Sequence, residues 1–271
     1  MMTNVDKIGF IGGGNMAEAL IKGLLTGDFP AERILVSEPS ELRREHLQEE
    51  FGIELAADNL QLMEKAEIVI LAIKPQIVVE VLEEVAGAYR NSKLIISILA
   101  GVPTATIEKF FQGAPRVVRV MPNTPALVGE AASVICPGHH AGSKDLAMVK
   151  QLLESVGTVQ QIDERQMDAA TGLSGSGPAY IYTVIEALAD GGVRQGLRRD
   201  VAHALAVQTV VGAALMVRET GEHPAILRDQ VCSPGGTAIN GISSLEKNGL
   251  RTTLMEAVTA AANRSRELGG S

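Results

Sequence analysis

Residues 7–25 read KIGFIGGGNMAEALIKGLL, and this stretch decides the fold. The run IGFI is apolar at nearly every position, as a strand buried on both faces of a parallel sheet must be. It passes without a spacer into Gly12, Gly13 and Gly14, then Asn15 and Met16, then an amphipathic helix. The spacing Gly9-x-x-Gly12-x-Gly14, with Ala17 three residues later, matches the glycine pattern of dinucleotide-binding βαβ units. In that pattern Gly12 permits the tight turn, Gly14 lets the backbone approach a pyrophosphate, and Ala17 lets the helix pack closely on the strand. The helix N-terminus then offers free N–H groups and the positive end of its dipole to the anion. A glycine turn without a ligand is the competing explanation; the strand before and the helix after favour binding.

Working outward, RILVSE, EIVILAI, KLIISIL and RVVRVM follow, each ahead of a helical or turn-rich stretch. This alternation predicts an α/β fold, a Rossmann-type doubly wound parallel sheet over residues 1–162. Pro75 and Pro103 sit just after strand-like runs and are expected to open crossover helices. From about Asp163 the strand signal stops. Ala-rich helices are expected near 178–191, 198–219, 240–247 and 251–268, broken at GGVRQGL, TGEHP, SPGG and KNG, so residues 163–271 should form an all-α domain. Segments as apolar as VAHALAVQTVVGAALMV show little polar face, which predicts burial against a second subunit in a homodimer.

Composition excludes several classes. A net charge of −8 argues against nucleic acid as a partner, because phosphate binding needs a basic field. The two cysteines, Cys136 and Cys232, show no CxxC spacing, so neither a disulfide framework nor a zinc site is expected. His139 and His140 lack a third ligand nearby and read as a surface turn. No window approaches the ~18 uncharged apolar residues of a membrane span, and the N-terminus lacks a secretory pattern, so a soluble cytoplasmic protein with no membrane partner is expected.

The second strand run ends in Val36-Ser37-Glu38-Pro39-Ser40, with Glu38 lying 24 residues past Gly14, near the position where an acid holds the adenosine ribose hydroxyls. A carboxylate there favours NAD by repelling a 2′-phosphate. Ser37, Ser40, Arg43 and Arg44 can recruit that phosphate if Glu38 points away. NADPH or NADH is therefore expected, leaning to NADH. The run ending Ala72-Ile73-Lys74-Pro75 places Lys74 at the edge where the pyrophosphate lies.

Two glycine-rich interruptions mark the C-terminal half, Gly172 to Tyr180 (GLSGSGPAY) and Val231 to Ala238 (VCSPGGTA). Serine, paired glycines and threonine ahead of a helix gather free N–H groups and hydroxyls, a receptor for a carboxylate. Plain helix capping by Ser174 or Ser233 is the alternative.

The stretch PAILRDQVCSPGGTAINGISSLE (224–246) resembles the signature of pyrroline-5-carboxylate reductases. FIGGGNMAEAL, AIKPQ, RVMPNTPALVGE, GLSGSGPAY, EALADGGV, TGEHP and SREL match in order, so the resemblance spans essentially the whole chain. It implies an oxidoreductase of proline biosynthesis that transfers hydride from a nicotinamide cofactor to a cyclic imino acid, with a helical domain pairing subunits, often into rings of dimers. It also implies that Gly12, Asn15, Met16, Asn59, Ala72, Lys74, Pro75 and Asn123 lie on the cofactor, joined by Gly13, Gly14, Ser37 and Glu38 from the pattern above. Ser233, Gly235, Gly236, Thr237 and Ala238 then bind substrate, with Thr237 acting at the imine. Many relatives have Thr-Thr where this chain has Thr237-Ala238. Ser176 is expected near the nicotinamide or as a cap, and His223 as an exposed loop residue. The rivals are a β-hydroxyacid dehydrogenase, whose catalytic lysine position is Ile181 here, and a dinucleotide sensor without chemistry.

Overall fold

The computed structural model describes residues 5–270. The apolar runs become β1 (Ile8–Ile11), β2 (Ile34–Ser37), β4 (Ile68–Leu71), β5 (Leu94–Ser97) and β6 (Arg116–Met121). Three further strands complete one sheet: β3 (Glu54–Leu55), β7 (Ala131–Pro137) and β8 (Gly157–Gln161). The order is β3-β2-β1-β4-β5-β6-β7-β8. Every neighbouring pair is parallel except β6 and β7, where Val120 opposes Ile135 in an antiparallel ladder. Only the short 3-10 turn Thr124–Val128 joins these two strands, and a parallel return needs a much longer crossover. The expectation of a parallel sheet is amended at this one pair.

Helices cover both faces. α1 (Asn15–Thr26) and α6 (Ser143–Glu154) bury Leu20, Ile21 and Leu152 against Phe10 and Val36. On the other face α3 (Asn59–Lys65), α4 (Val78–Val85) and α5 (Thr104–Glu108) bury Leu62, Leu82 and Ile107 against Ile11, Leu71 and Ile95. Adjacent Phe10 and Ile11 feed opposite cores, as the two-residue period of a strand requires. Between β2 and β3 runs α2 (Glu41–Phe51). Pro75 opens a 3-10 turn leading into α4, and Pro103 immediately precedes α5.

After Gln161 the described residues hold only helical elements and turns. A short α7 (Met167–Ala170) continues as a π-helical segment, Thr171–Gly175. Then come α8 (Gly177–Arg194), α9 (Arg199–Thr220), α10 (Pro224–Val231), α11 (Thr237–Lys247) and α12 (Leu250–Leu268). The predicted break at GGVRQGL shifts: α8 runs through Gly191 and Gly192 and stops at Arg194. α9 is 22 residues long and apolar enough by composition to cross a membrane, contrary to the expectation that no segment would be.

The chain divides into two compact units. One holds the residues up to Ser176 together with those from Ala260 onward; the other is Gly177–Thr259. The sequence placed the boundary at 162/163. Residues 163–176 join the sheet unit through side chains: Glu164 accepts from the Thr104 N–H and hydroxyl, each at 2.7 Å, and Asn123 Nδ2 donates to the Ser174 carbonyl at 3.0 Å. The end of α12 joins it through Ser265, buried, whose hydroxyl donates to Asp168 Oδ1 at 2.6 Å. In the helical unit the buried apolar residues are three alanines, Ala189, Ala202 and Ala206.

Candidate dinucleotide cleft and anion-receiving turn

The C-terminal edge of the sheet opens into a cleft of about 600 Å³ lined by Gly12, Gly14, Ser37, Glu38, Asn59, Ala72 and Lys74. These come from four chain segments that the parallel register brings level: Ile11 pairs with Ser37 on one side and Leu71 on the other. Gly12 has φ +97°, and a Cβ there would lie 2.6 Å from the Ala72 carbonyl oxygen, so the tight turn demands glycine. A Cβ at Gly14 would meet nothing within 4 Å, so the space on that side of the turn is open. Asn15 and Met16 begin α1 with no side-chain cap, so its first N–H groups remain available to an anion.

Gly13 is held from both sides. Its N–H donates to Glu38 Oε2 at 2.8 Å and its carbonyl accepts from Arg43 Nε at 2.5 Å. A Cβ at Gly13 would come within 2.7 Å of Leu47. The second Glu38 oxygen accepts from Ser40 N–H at 2.9 Å. Arg43 also pairs with Glu18, and His46 Nε2 lies 3.4 Å from the same carboxylate. Burial alone pushes the Glu18 carboxyl up, but hydrogen bonds and charge from Arg43 and His46 outweigh it and hold the group below the ordinary glutamate value.

The opposite wall is a hydrogen-bond chain. Ser37 Oγ donates to Asn59 Oδ1 and Asn59 Nδ2 donates to Glu84 Oε2, both at 2.7 Å. Asp58 caps α3 by accepting from Gln61 N–H at 2.7 Å. Sequence reasoning did not single out Asp58, Glu84, Ile77 or Val81 as cleft residues. The i,i+4 spacing of Ile77 and Val81 on one helical face, just past the Lys74-Pro75 edge, is the signal that finds them. Pro75 itself shapes the turn rather than lining the cleft. Asn123 is buried and its amide is engaged at both ends, donating to Ser174 and accepting from Ala132 N–H at 2.9 Å.

The GLSGSG segment is helical rather than looped. Ser174 Oγ bonds backward to the Ala170 carbonyl at 3.1 Å, so the capping alternative does not apply to it. Ser176 continues the chain with its N–H on the Thr171 carbonyl. Gly175 packs against Met121, where a Cβ would stand 2.6 Å from the methyl carbon.

In the helical unit, Ser233 to Gly236 form a turn closed by Gly236 N–H on the Ser233 carbonyl at 3.0 Å, with Gly235 at φ +67°. Proline followed by a left-handed glycine is the chemistry of a type II turn. It delivers the chain into α11 with Gly236 at the N-cap, Thr237 first and Ala238 second, and no side chain caps the helix. Ser233 therefore does not cap α11. Its leading N–H groups face an exposed turn, which is what a carboxylate requires. His223 caps α10 instead, Nδ1 accepting from Ala225 N–H at 3.2 Å.

Comparison with known proteins agrees with this arrangement. The pyrroline-5-carboxylate reductase dimerisation family matches residues 164–268, and a family described as NADP oxidoreductase coenzyme F420-dependent matches residues 7–101. The pyrroline-5-carboxylate reductase of Arabidopsis thaliana is 48% identical over 97% of this chain and 95% of its own. The chain belongs to the pyrroline-5-carboxylate reductase family. The Methanosarcina acetivorans member is 49% identical over 97% of this chain and 98% of its own. Among solved structures, the Coxiella burnetii reductase superposes with a TM-score of 0.91 at 38% identity, covering 98% of this chain and 99% of its own. The Plasmodium falciparum reductase, solved with NADP bound, gives 0.89 at 36% identity, covering 99% and 100%. Both the glycine cleft and the 233–238 turn lie within these matched regions of the family.

Proposed function

We propose that this chain reduces 1-pyrroline-5-carboxylate to L-proline with NADH or NADPH, the last step of proline biosynthesis. The observation that carries the reading is the pairing, within one member of the family, of a glycine cleft built for a pyrophosphate with a second, uncapped helix N-terminus at Thr237. A β-hydroxyacid dehydrogenase needs a proton acceptor for its alcohol, and the position of its lysine is Ile181 here. A sensor needs no second anion receptor.

The dinucleotide, when bound, supplies the hydride. Gly12, Gly13 and Gly14 with the first turn of α1 hold its pyrophosphate, and Lys74 adds a cation at the same edge. Ser233, Gly235, Gly236, Thr237 and Ala238 receive the substrate carboxylate, and the Thr237 hydroxyl hydrogen-bonds the imine nitrogen. A protonated imine is already electrophilic, so no dedicated acid is required. Alignment of two reactants supplies up to ~7–11 kcal/mol.

Residues 1–162 are assigned to the cofactor and 163–271 to substrate and subunit pairing. The assembly is a homodimer, able to build larger rings of dimers. Its support is the surface of the helical unit, which leaves Tyr182 61%, Leu205 55% and Met255 63% exposed over a core of three alanines. The apolar length of α9 is assigned to the partner subunit rather than to lipid, and the protein to the cytoplasm with no nucleic-acid partner. Purified protein is assayed for NADH and NADPH oxidation with pyrroline-5-carboxylate and for proline formed. Turnover of hydroxyacids alone, or tight dinucleotide binding with no turnover, overturns the proposal.

A further inference from the structure

We propose that this enzyme discriminates against the 2′-phosphorylated dinucleotide, and that Glu38, pinned by two backbone amides, is the residue that does so. The inference rests on assigning the cleft to the dinucleotide and deepens that assignment by choosing between its two forms.

Glu38 directly follows Ser37, the last residue of β2, at the sheet edge where the adenosine ribose of a dinucleotide lies. Its side chain is turned inward. Oε2 accepts from Gly13 N–H at 2.8 Å and Oε1 from Ser40 N–H at 2.9 Å. A carboxylate has about four acceptor directions, so each oxygen keeps one for a ribose hydroxyl while holding its amide. Leaving that place would break two charge-assisted bonds and release the phosphate loop from its side support. The carboxylate is therefore a fixed negative charge facing the ribose, compatible with two hydroxyls and repelled by a phosphate.

The surrounding charges do not reverse this. Arg43 is turned away from the cleft, onto the Gly13 carbonyl and Glu18. Arg44 lines the cleft without a side-chain hydrogen bond among the described residues, and Lys74 stands at the β4 edge. Against these two cations the same walls carry Glu38, Asp58 and Glu84. A phosphate monoester brings roughly two further negative charges at neutral pH. The Plasmodium falciparum relative was solved with NADP bound.

The test measures kcat/KM for NADH and NADPH with pyrroline-5-carboxylate in the wild-type enzyme, Glu38→Gln and Glu38→Ser. The expected result is a preference for NADH of about tenfold or more in wild type, falling at least tenfold in both variants because NADPH efficiency rises. A gain with NADPH is a change that loss of a merely structural contact does not produce. Wild-type preference for NADPH, or both efficiencies falling together in the variants, overturns the inference. Should the variants not fold, wild-type inhibition by 5′-AMP and by adenosine 2′,5′-bisphosphate decides: tighter binding of the bisphosphate overturns it. Calorimetric titration with NADH and NADPH separates the two layers. A binding preference for NADH without turnover removes the reductase reading and leaves this inference standing; binding of neither removes both.

Discussion

Thr237 stands first in α11 beside two glycines, and the proposed reaction gives its hydroxyl the contact to the imine nitrogen. Thr237→Val is expected to raise KM for pyrroline-5-carboxylate and lower kcat, while Thr237→Ser keeps most of both; steady-state kinetics matching wild type in the valine variant would remove Thr237 from the chemistry. Cys136 makes a different prediction. It is fully buried on β7, and its thiol is pushed up to about 12 by burial, with Glu164 adding to the shift and Arg119 opposing it. Because the folded value lies above the unfolded one, the stability this thiol contributes is complete below about pH 8.5 and is lost as pH rises, by at most ~1.4 kcal/mol per unit. Urea unfolding from pH 8 to 10 should therefore show a shallower loss in Cys136→Ala than in wild type, and equal slopes would contradict it. Glu38 shows how far a single residue is legible. Its acidic character and position after β2 were readable, but its two amide partners depend on the fold of the glycine loop.

Among elements, the five strands readable in advance are those with near-continuous apolar runs, because both of their faces are covered. The unread strands lack that mark. β3 spans two residues, and β8 (GTVQQ) is an edge strand with Gln160 and Gln161 exposed. The GLSGSG segment was read as an open turn because glycine and serine usually signal one. Two local bonds and one distant one hold it helical: Thr171 and Ser174 bond back to carbonyls four residues earlier, and Asn123 grips it from the turn after β6. Asn123→Ala would remove the side-chain partner of the Ala132 N–H and of the Ser174 carbonyl, two partly buried hydrogen bonds. A loss of about 1–3 kcal/mol in denaturant unfolding is expected, and an unchanged midpoint would mean that the grip is dispensable.

For the whole molecule, the two-part organisation was legible from the stop in strand signal near Asp163, and the need for a partner from helices apolar nearly all round. The compact division at Ser176 was not, since it depends on hydrogen bonds between residues far apart in sequence. Leu205→Glu and Met255→Glu, placed on the exposed apolar surface, are expected to shift the light-scattering mass from dimer toward monomer; a dimer persisting in both would place the interface elsewhere. The return of α12 to the first unit has a consequence for biosynthesis. Ser265 is buried and bonds Asp168, 97 residues earlier, so the sheet-bearing unit cannot complete this contact until α12 has been made. Gly177–Thr259 is thereby an insertion in the sequence of the first unit, whose folding depends on a segment made after the whole of the second.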